Sequence, residues 1–222
     1  MKKLLLYSIC ALLFWGCEEK ILPPKENFSV TDGGVIINGV KWATRNVDKL
    51  GTFATKPEAF GTFYQWNRRL GWSTTDPMID SNGGIMWDSS TPTGYMWGIY
   101  NDPSPAGWRV PTRTEINKLL DTDKVSNEWT TINGIIGVKF KDKATGNSLF
   151  LPAVGSRGHE DGSLDNSGTH GYYWSSAPCE EPLAEYPERF AFGMFFYFRN
   201  GSEVWGTSFT RGAGFSVRSV AE

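Results

Sequence analysis

The sequence predicts an α+β domain with an antiparallel sheet, and three observations carry that prediction. From Gly33 onward turn signals recur and few stretches could hold a long helix; three stretches read as hairpins; one segment carries a complete helix-start signal. No internal repeat at a solenoid or propeller period is visible.

The first hairpin is "VIINGVKWATRNV", turning at Asn38-Gly39, where both residues accept the positive φ of a type I′ turn. "KPEAFGTFYQWNRRLGW" predicts a short helical turn followed by a strand, given its aromatic density and Gly61. Residues 71 to 107 hold Trp72, Trp87 and Trp97 among Gly, Pro, Ser and Asp, with Trp108 just beyond; long irregular segments of this kind are usually functional. In "VPTRTEINKLLDT", Thr112 and Glu115 form a capping box, and Ile116, Leu119 and Leu120 make one apolar stripe. "IIGVKFKDKATGNSLFLPAVG" predicts a second hairpin turning at residues 144 to 147. "RFAFGMFFYFRNGSEVWGTSF" predicts a third, turning at Asn200-Gly201. In its first arm Phe190, Phe192, Met194, Phe196 and Phe198 share one face, and a two-residue turn places Trp205 opposite Phe196. "GFSVRSV" closes the chain as a strand with Phe215 and Val217 inward and Arg218 outward.

The N-terminus is of a different kind. Lys2 and Lys3 precede an apolar run from Leu4 to Trp15, too short for the roughly 20 residues of a membrane span, so it reads as an export signal. Gly16-Cys17 resembles the end of a bacterial lipoprotein signal, with lipid attached to the Cys17 sulfur, and "CEEK" resembles the acidic export signal of Bacteroidetes-type lipoproteins. Residues 1–16 are then the signal, 17–32 a Pro-containing tether and 33–222 the folded domain, held at the outer membrane and displayed on the cell surface. Several acyl chains at about 0.8 kcal/mol per buried methylene make such an anchor stable. Cys10 leaves with the signal, so Cys179 stands alone and the domain has no internal disulfide. Stability must come from burial, for which 10 Trp and 14 Phe supply area. Without Lys2 and Lys3 the chain carries 20 basic against 24 acidic residues and no basic block, which argues against a nucleic-acid partner.

Six stretches in order, "VKWATRNV", "GTFYQWNR", "DPSPAGWRVPTRTEINKLL", "SLFLPAVGSR", "GYYWSSAP" and "GFSVRSV", resemble the Fibrobacter succinogenes major paralogous domain family over residues 34 to 220. The resemblance implies a C-type-lectin-like fold: a twisted antiparallel sheet with one or two short helices, supporting a long irregular loop region. Some members of that family vary their C-terminal segment to bind different ligands. Many carry a cysteine where this chain has Ser104, so a disulfide of theirs cannot form here. The Glu-Pro-Asn, Gln-Pro-Asp and Trp-Asn-Asp tripeptides of calcium-dependent sugar readers are absent. The paired cysteines of the formylglycine-generating enzymes that share this fold are absent too.

Signals for chemistry are weak. His159 and His170 match no zinc-ligand spacing with Cys179 or Asp161. Asp161, Asp165 and Asn166 could supply oxygens to calcium, but Asx-rich turns have the same composition. Glu160-Asp161 and Glu180-Glu181 are sequence neighbours whose side chains point apart, unlike a glycosidase pair. Ser175-Ser176 lacks a nucleophile elbow and is expected to bond within the sheet. "RGAG" at 211 to 214 lacks the lysine and spacing of a phosphate loop.

The aromatic surplus remains, since Phe195 and Tyr197 alternate with core-facing neighbours. The expectation is a ligand-binding surface contributed by His170, Tyr172, Glu185, Tyr186, Tyr197 and Trp205, with no catalytic residue, cofactor or metal. The partner is an extracellular protein or glycan, with the membrane reached through the lipid. The alternatives are an accessory subunit of a surface assembly or fimbria and, last, an enzyme related to the formylglycine generators.

Overall fold

The computed structural model describes residues 31–179, 186–198 and 202–222. In chain order the strands are β1 (Val35–Ile37), β2 (Val40–Trp42), β3 (Phe63–Gln65), β4 (Gly71–Trp72) and β5 (Trp108–Arg109), then helix α1 (Arg113–Leu119). After it come β6 (Val125–Ile132), β7 (Ile135–Asp142), β8 (Ser148–Pro152), β9 (Ser156–Arg157) and β10 (Leu164–Asp165). The last are β11 (His170–Pro178), β12 (Phe190–Phe198), β13 (Ser202–Thr210), β14 (Gly214–Phe215) and β15 (Val220–Ala221). Among the described residues they form sheets ordered β1-β2-β15-β5, β10-β9-β14-β3-β4, β11-β12-β13 and β6-β7-β8, so the domain is α+β and mostly antiparallel β.

Local chemistry explains most of these elements. Asn38 and Gly39 sit at φ 46° and 76°, the type I′ turn expected between β1 and β2. Thr112 caps α1 through a complete capping box with Glu115, whose carboxylate also takes a bidentate hydrogen bond from Arg109 at 2.7 and 2.8 Å. Ile116 and Leu119 are buried, and Leu120 packs against the same core. β7 and β8 form the expected hairpin.

Several expectations need correction. An additional hairpin joins β6 to β7 through Asn133-Gly134 at φ 49° and 83°, a second type I′ turn. Before β3, residues 55–58 make a single turn, and β3 pairs with β4. The C-terminal segment is two short strands rather than one, because β14 ends at Phe215 and β15 begins at Val220. Alternation therefore fails between them, and Arg218 points inward, 1% exposed. It donates to Asn46 Oδ1 at 2.9 Å and to the Ala43 carbonyl at 3.2 Å. Burial pushes its guanidinium down to about 10, still charged at neutral pH.

Two faces of β11-β12-β13 meet different surroundings. Tyr173, Phe192, Met194 and Phe196 enter a core shared with α1, β1-β2 and the β6-β7-β8 sheet. That core is tight: a Cβ at Gly171 would lie 2.0 Å from the Phe196 ring, so only glycine fits beneath it. On the opposite face Trp174 and Ala191 join Tyr64, Trp66 and Phe215 in a second cluster.

Candidate functional site

The second face is covered at one end and partly open at the other. Trp174 (0% exposed) stacks on Phe215 at 4.3 Å, and Phe215 in turn stacks on Tyr172 at 4.8 Å. From Tyr172 onward the rings are only partly buried, and they continue as His170, Phe195, Tyr197 and Trp205.

Strand register brings them together. His170 lies opposite Tyr197 and Tyr172 opposite Phe195 across β11 and β12; Phe195 lies opposite Trp205 and Tyr197 opposite Glu203 across β12 and β13. The expected Phe196–Trp205 pair is thus corrected by one residue. Phe198 pairs with Ser202, so three residues connect the strands rather than two. That shift moves Trp205 from the core face to the open face.

Phe195 is the hub. Its ring centroid is 4.7 Å from Tyr172, 4.8 Å from Trp205, 5.4 Å from Tyr197 and 5.6 Å from His170. Trp205 meets both Phe195 and Tyr197 edge-on, whereas His170 and Tyr197 are within 13° of parallel at 5.4 Å. Each ring restricts its neighbours, so the surface is organised before any ligand arrives.

Polar groups edge the platform. The Tyr197 hydroxyl donates to Glu203 Oε2 at 3.1 Å, and Thr169 Oγ1 lies 2.8 Å from His170 Nδ1. Burial holds the His170 imidazolium below its ordinary pKa and pushes the Tyr172 hydroxyl up. The His170 ring is therefore neutral at neutral pH, and the face presents rings and hydroxyls, with Glu203 and Asp165 at its edges. Such a surface can stack on the apolar faces of sugar rings or on flat and aliphatic side chains.

Of the expected contacts, His170, Tyr172, Tyr197 and Trp205 converge, and Phe195 completes them. Tyr186 does not join them. It sits before Phe190, seven strand residues from Tyr197, so about 23 Å away along β12, and its ring lies under Arg189 at 5.1 Å. Glu185 lies outside the described residues, as do Cys17 and the Asn200-Gly201 turn.

Other groups weighed from sequence are committed locally. Ser175 Oγ donates to the Phe192 carbonyl at 2.7 Å, as expected for a sheet serine. His159 faces Glu160 at 3.7 Å and packs beside Gly212, while His170 lies against Tyr197. Asp161 Oδ1 accepts from the Ser163 amide at 2.9 Å, an Asx turn. Among the described residues no three His, Cys, Asp or Glu side chains converge as metal ligands.

A second exposed surface went unread in the sequence. Tyr95, Met96, Ile99 and Tyr100 are 97, 66, 80 and 88% exposed around a buried Trp97. "GYMWGIY" looks like core supply, and only the fold reveals that Trp97 alone turns inward. No protein-family model matches the chain, and neither does any curated protein or solved structure.

Proposed function

We propose that this chain is a surface lipoprotein whose domain binds an extracellular protein or glycan against the aromatic face of β11-β12-β13 and does no chemistry on it. The observation that carries the reading is the partly exposed five-ring cluster of His170, Tyr172, Phe195, Tyr197 and Trp205, fixed by mutual contact on rigid strands. The same reading takes the finer fold as C-type-lectin-like, within the Fibrobacter succinogenes major paralogous domain family, and Cys17 as the lipidated residue at the outer membrane. Capped α1, the long irregular stretch before it and the terminal pairing of β2 with β15 support that fold assignment.

Glycan and protein arrays probed with the domain test the function. Hits are expected to lose binding in a Tyr172→Ala, Trp205→Ala double variant, and a variant binding every hit as tightly as the parent contradicts the assigned face. Loss of membrane fractionation in Cys17→Ser tests the anchor separately. A second reading, an accessory subunit of a surface assembly, draws support from β13, whose strand partner among the described residues is β12 alone. Its nine residues carry a single charge, Glu203, so its free edge resembles those that accept an added strand. Pull-down from detergent-solubilised envelopes separates the two.

A further inference from the structure

The exposed apolar loop of residues 95–100 is built rather than loose. Trp97 is 6% exposed, its amide donates to the Ser176 carbonyl at 2.9 Å, and its indole donates to the Asn101 carbonyl at 2.9 Å. Asn67 Oδ1 takes the Gly98 amide at 2.7 Å. The loop therefore holds Tyr95, Met96, Ile99 and Tyr100 out in water on a fixed frame, in a chain that must gain something from this exposure.

Its place relative to the start of the domain indicates what covers it. Arg45 fixes that start, donating to Asp32 at 3.1 Å and to the Thr31 carbonyl at 2.8 Å. Thr31 and Asp32 line a groove of about 310 Å³ together with Pro105, Ala106 and Trp108. The same three residues also line a larger groove of about 660 Å³, together with Met96 and Ile99. The point where the tether joins the domain and the apolar loop thus flank one wall. Leu50, 40% exposed, belongs to the same end, because the neighbouring Gly51 amide donates to the Pro103 carbonyl.

No cationic block stands at this end: Arg109 pairs with Glu115 and also feels Asp102 and Glu222, while Lys41 lies over the Trp108 ring at 5.9 Å. Tyrosines beside aliphatic side chains, without a cationic block, match the interfacial layer of a zwitterionic bilayer. Thirteen residues lie between Cys17 and Thr31, so the fourteen steps of the tether span at most about 50 Å and allow the contact without straining.

We propose that loop 95–100 is the membrane-facing end of the module, with Tyr95, Met96, Ile99 and Tyr100 seated in the headgroup layer of the bilayer that anchors Cys17. This rests on the lipoprotein reading above. It also orients the ligand face: His170 is six strand residues from Ser176, so about 20 Å further along β11, and the open end of the aromatic platform is turned away from the membrane.

The test places a polarity-sensitive thiol dye at Tyr95→Cys, and at Ser167→Cys as a control beside His170, in the lipidated protein on phosphatidylethanolamine–phosphatidylcholine vesicles carrying a lipid-bound quencher. Cys179 is buried and stays unlabelled. The dye at 95 is expected to shift to the blue and be quenched several-fold more than the dye at 167. Adding Met96→Asp and Ile99→Asp should reduce that quenching to the control level. Equal, water-like signals at both positions, with the protein still vesicle-bound through Cys17, would overturn the loop assignment and leave the anchor standing. Flotation that is indifferent to Cys17→Ser would instead refute the anchor. A blue shift at 95 that needs no vesicles and grows with protein concentration would give the loop to a second copy, and likewise overturn the proposal.

Discussion

Phe196 and Trp205 lie on opposite faces of the same strand pair, and their truncation should have opposite consequences. Phe196 is fully buried, stacks on Tyr173 at 5.9 Å and meets Trp129 edge-on at 5.8 Å, directly above Gly171. Phe196→Ala leaves a cavity that Gly171 cannot fill, so the expected loss is about 3–5 kcal/mol. That is a large share of the roughly 5–15 kcal/mol that holds a domain together. Trp205 is partly exposed on an outer strand and makes two edge-to-face contacts, with Phe195 and Tyr197. At about 0.5–1.5 kcal/mol each, Trp205→Ala should cost about 1–3 kcal/mol. Denaturant unfolding followed by circular dichroism measures both, with unchanged m-values expected. A Trp205→Ala loss equal to that of Phe196→Ala would mean that the platform is covered core, and the reasoning behind the ligand face would fail.

Further predictions concern the rest of the frame. Arg218→Ala leaves Asn46 Oδ1 and the Ala43 carbonyl without their buried donor and should cost about 3–5 kcal/mol by the same assay; Arg218→Met should recover part of this through packing. Ser104 Oγ and Ser219 Oγ lie 2.8 Å apart, so Ser104→Cys with Ser219→Cys should oxidise spontaneously and stabilise by about 2–4 kcal/mol, read as a Tm difference with and without reductant. His170 has a folded pKa below its unfolded value, so the native state resists its protonation. The stability it contributes is present above the unfolded value of about 6.5 and declines as pH falls below it, a decline that His170→Gln should remove from the pH–stability curve.

How much was legible in the sequence follows from where local chemistry decides the outcome. The Asn38-Gly39 turn and the Thr112–Glu115 box are set by neighbouring residues and could be read directly. The Asn133-Gly134 hairpin carried the same signal and was readable, but the irregular alternation of "VSNEWTTI" hid its first arm. Arg218 was misread because period two was extended across a break between β14 and β15, and a break set by tertiary pairing leaves no local mark. Trp205 was counted among the ligand contacts yet paired with Phe196 on the core face: the opposing residue depends on a connection of three residues, and one residue reverses every side chain. His170, Tyr172, Tyr197 and Trp205 converge because β11 pairs with β12 at a sequence distance that no local pattern encodes. Tyr186 shared their chemistry and their neighbourhood in sequence, yet strand direction carries it to the far end. The apolar loop at 95–100 was invisible for the complementary reason, since hydrophobicity alone does not say which of five large side chains turns inward.

The open rings of β11-β12-β13 exist, on this proposal, to be touched by a ligand. Titration calorimetry of an array-identified ligand against the parent, Tyr172→Ala, Trp205→Ala and, as a control away from the face, Tyr100→Ala tests it most directly. Binding at least tenfold weaker is expected for the first two variants, about 1.4 kcal/mol or more, with the control unchanged. Parent-like affinity in both platform variants, with their fold intact, would contradict it.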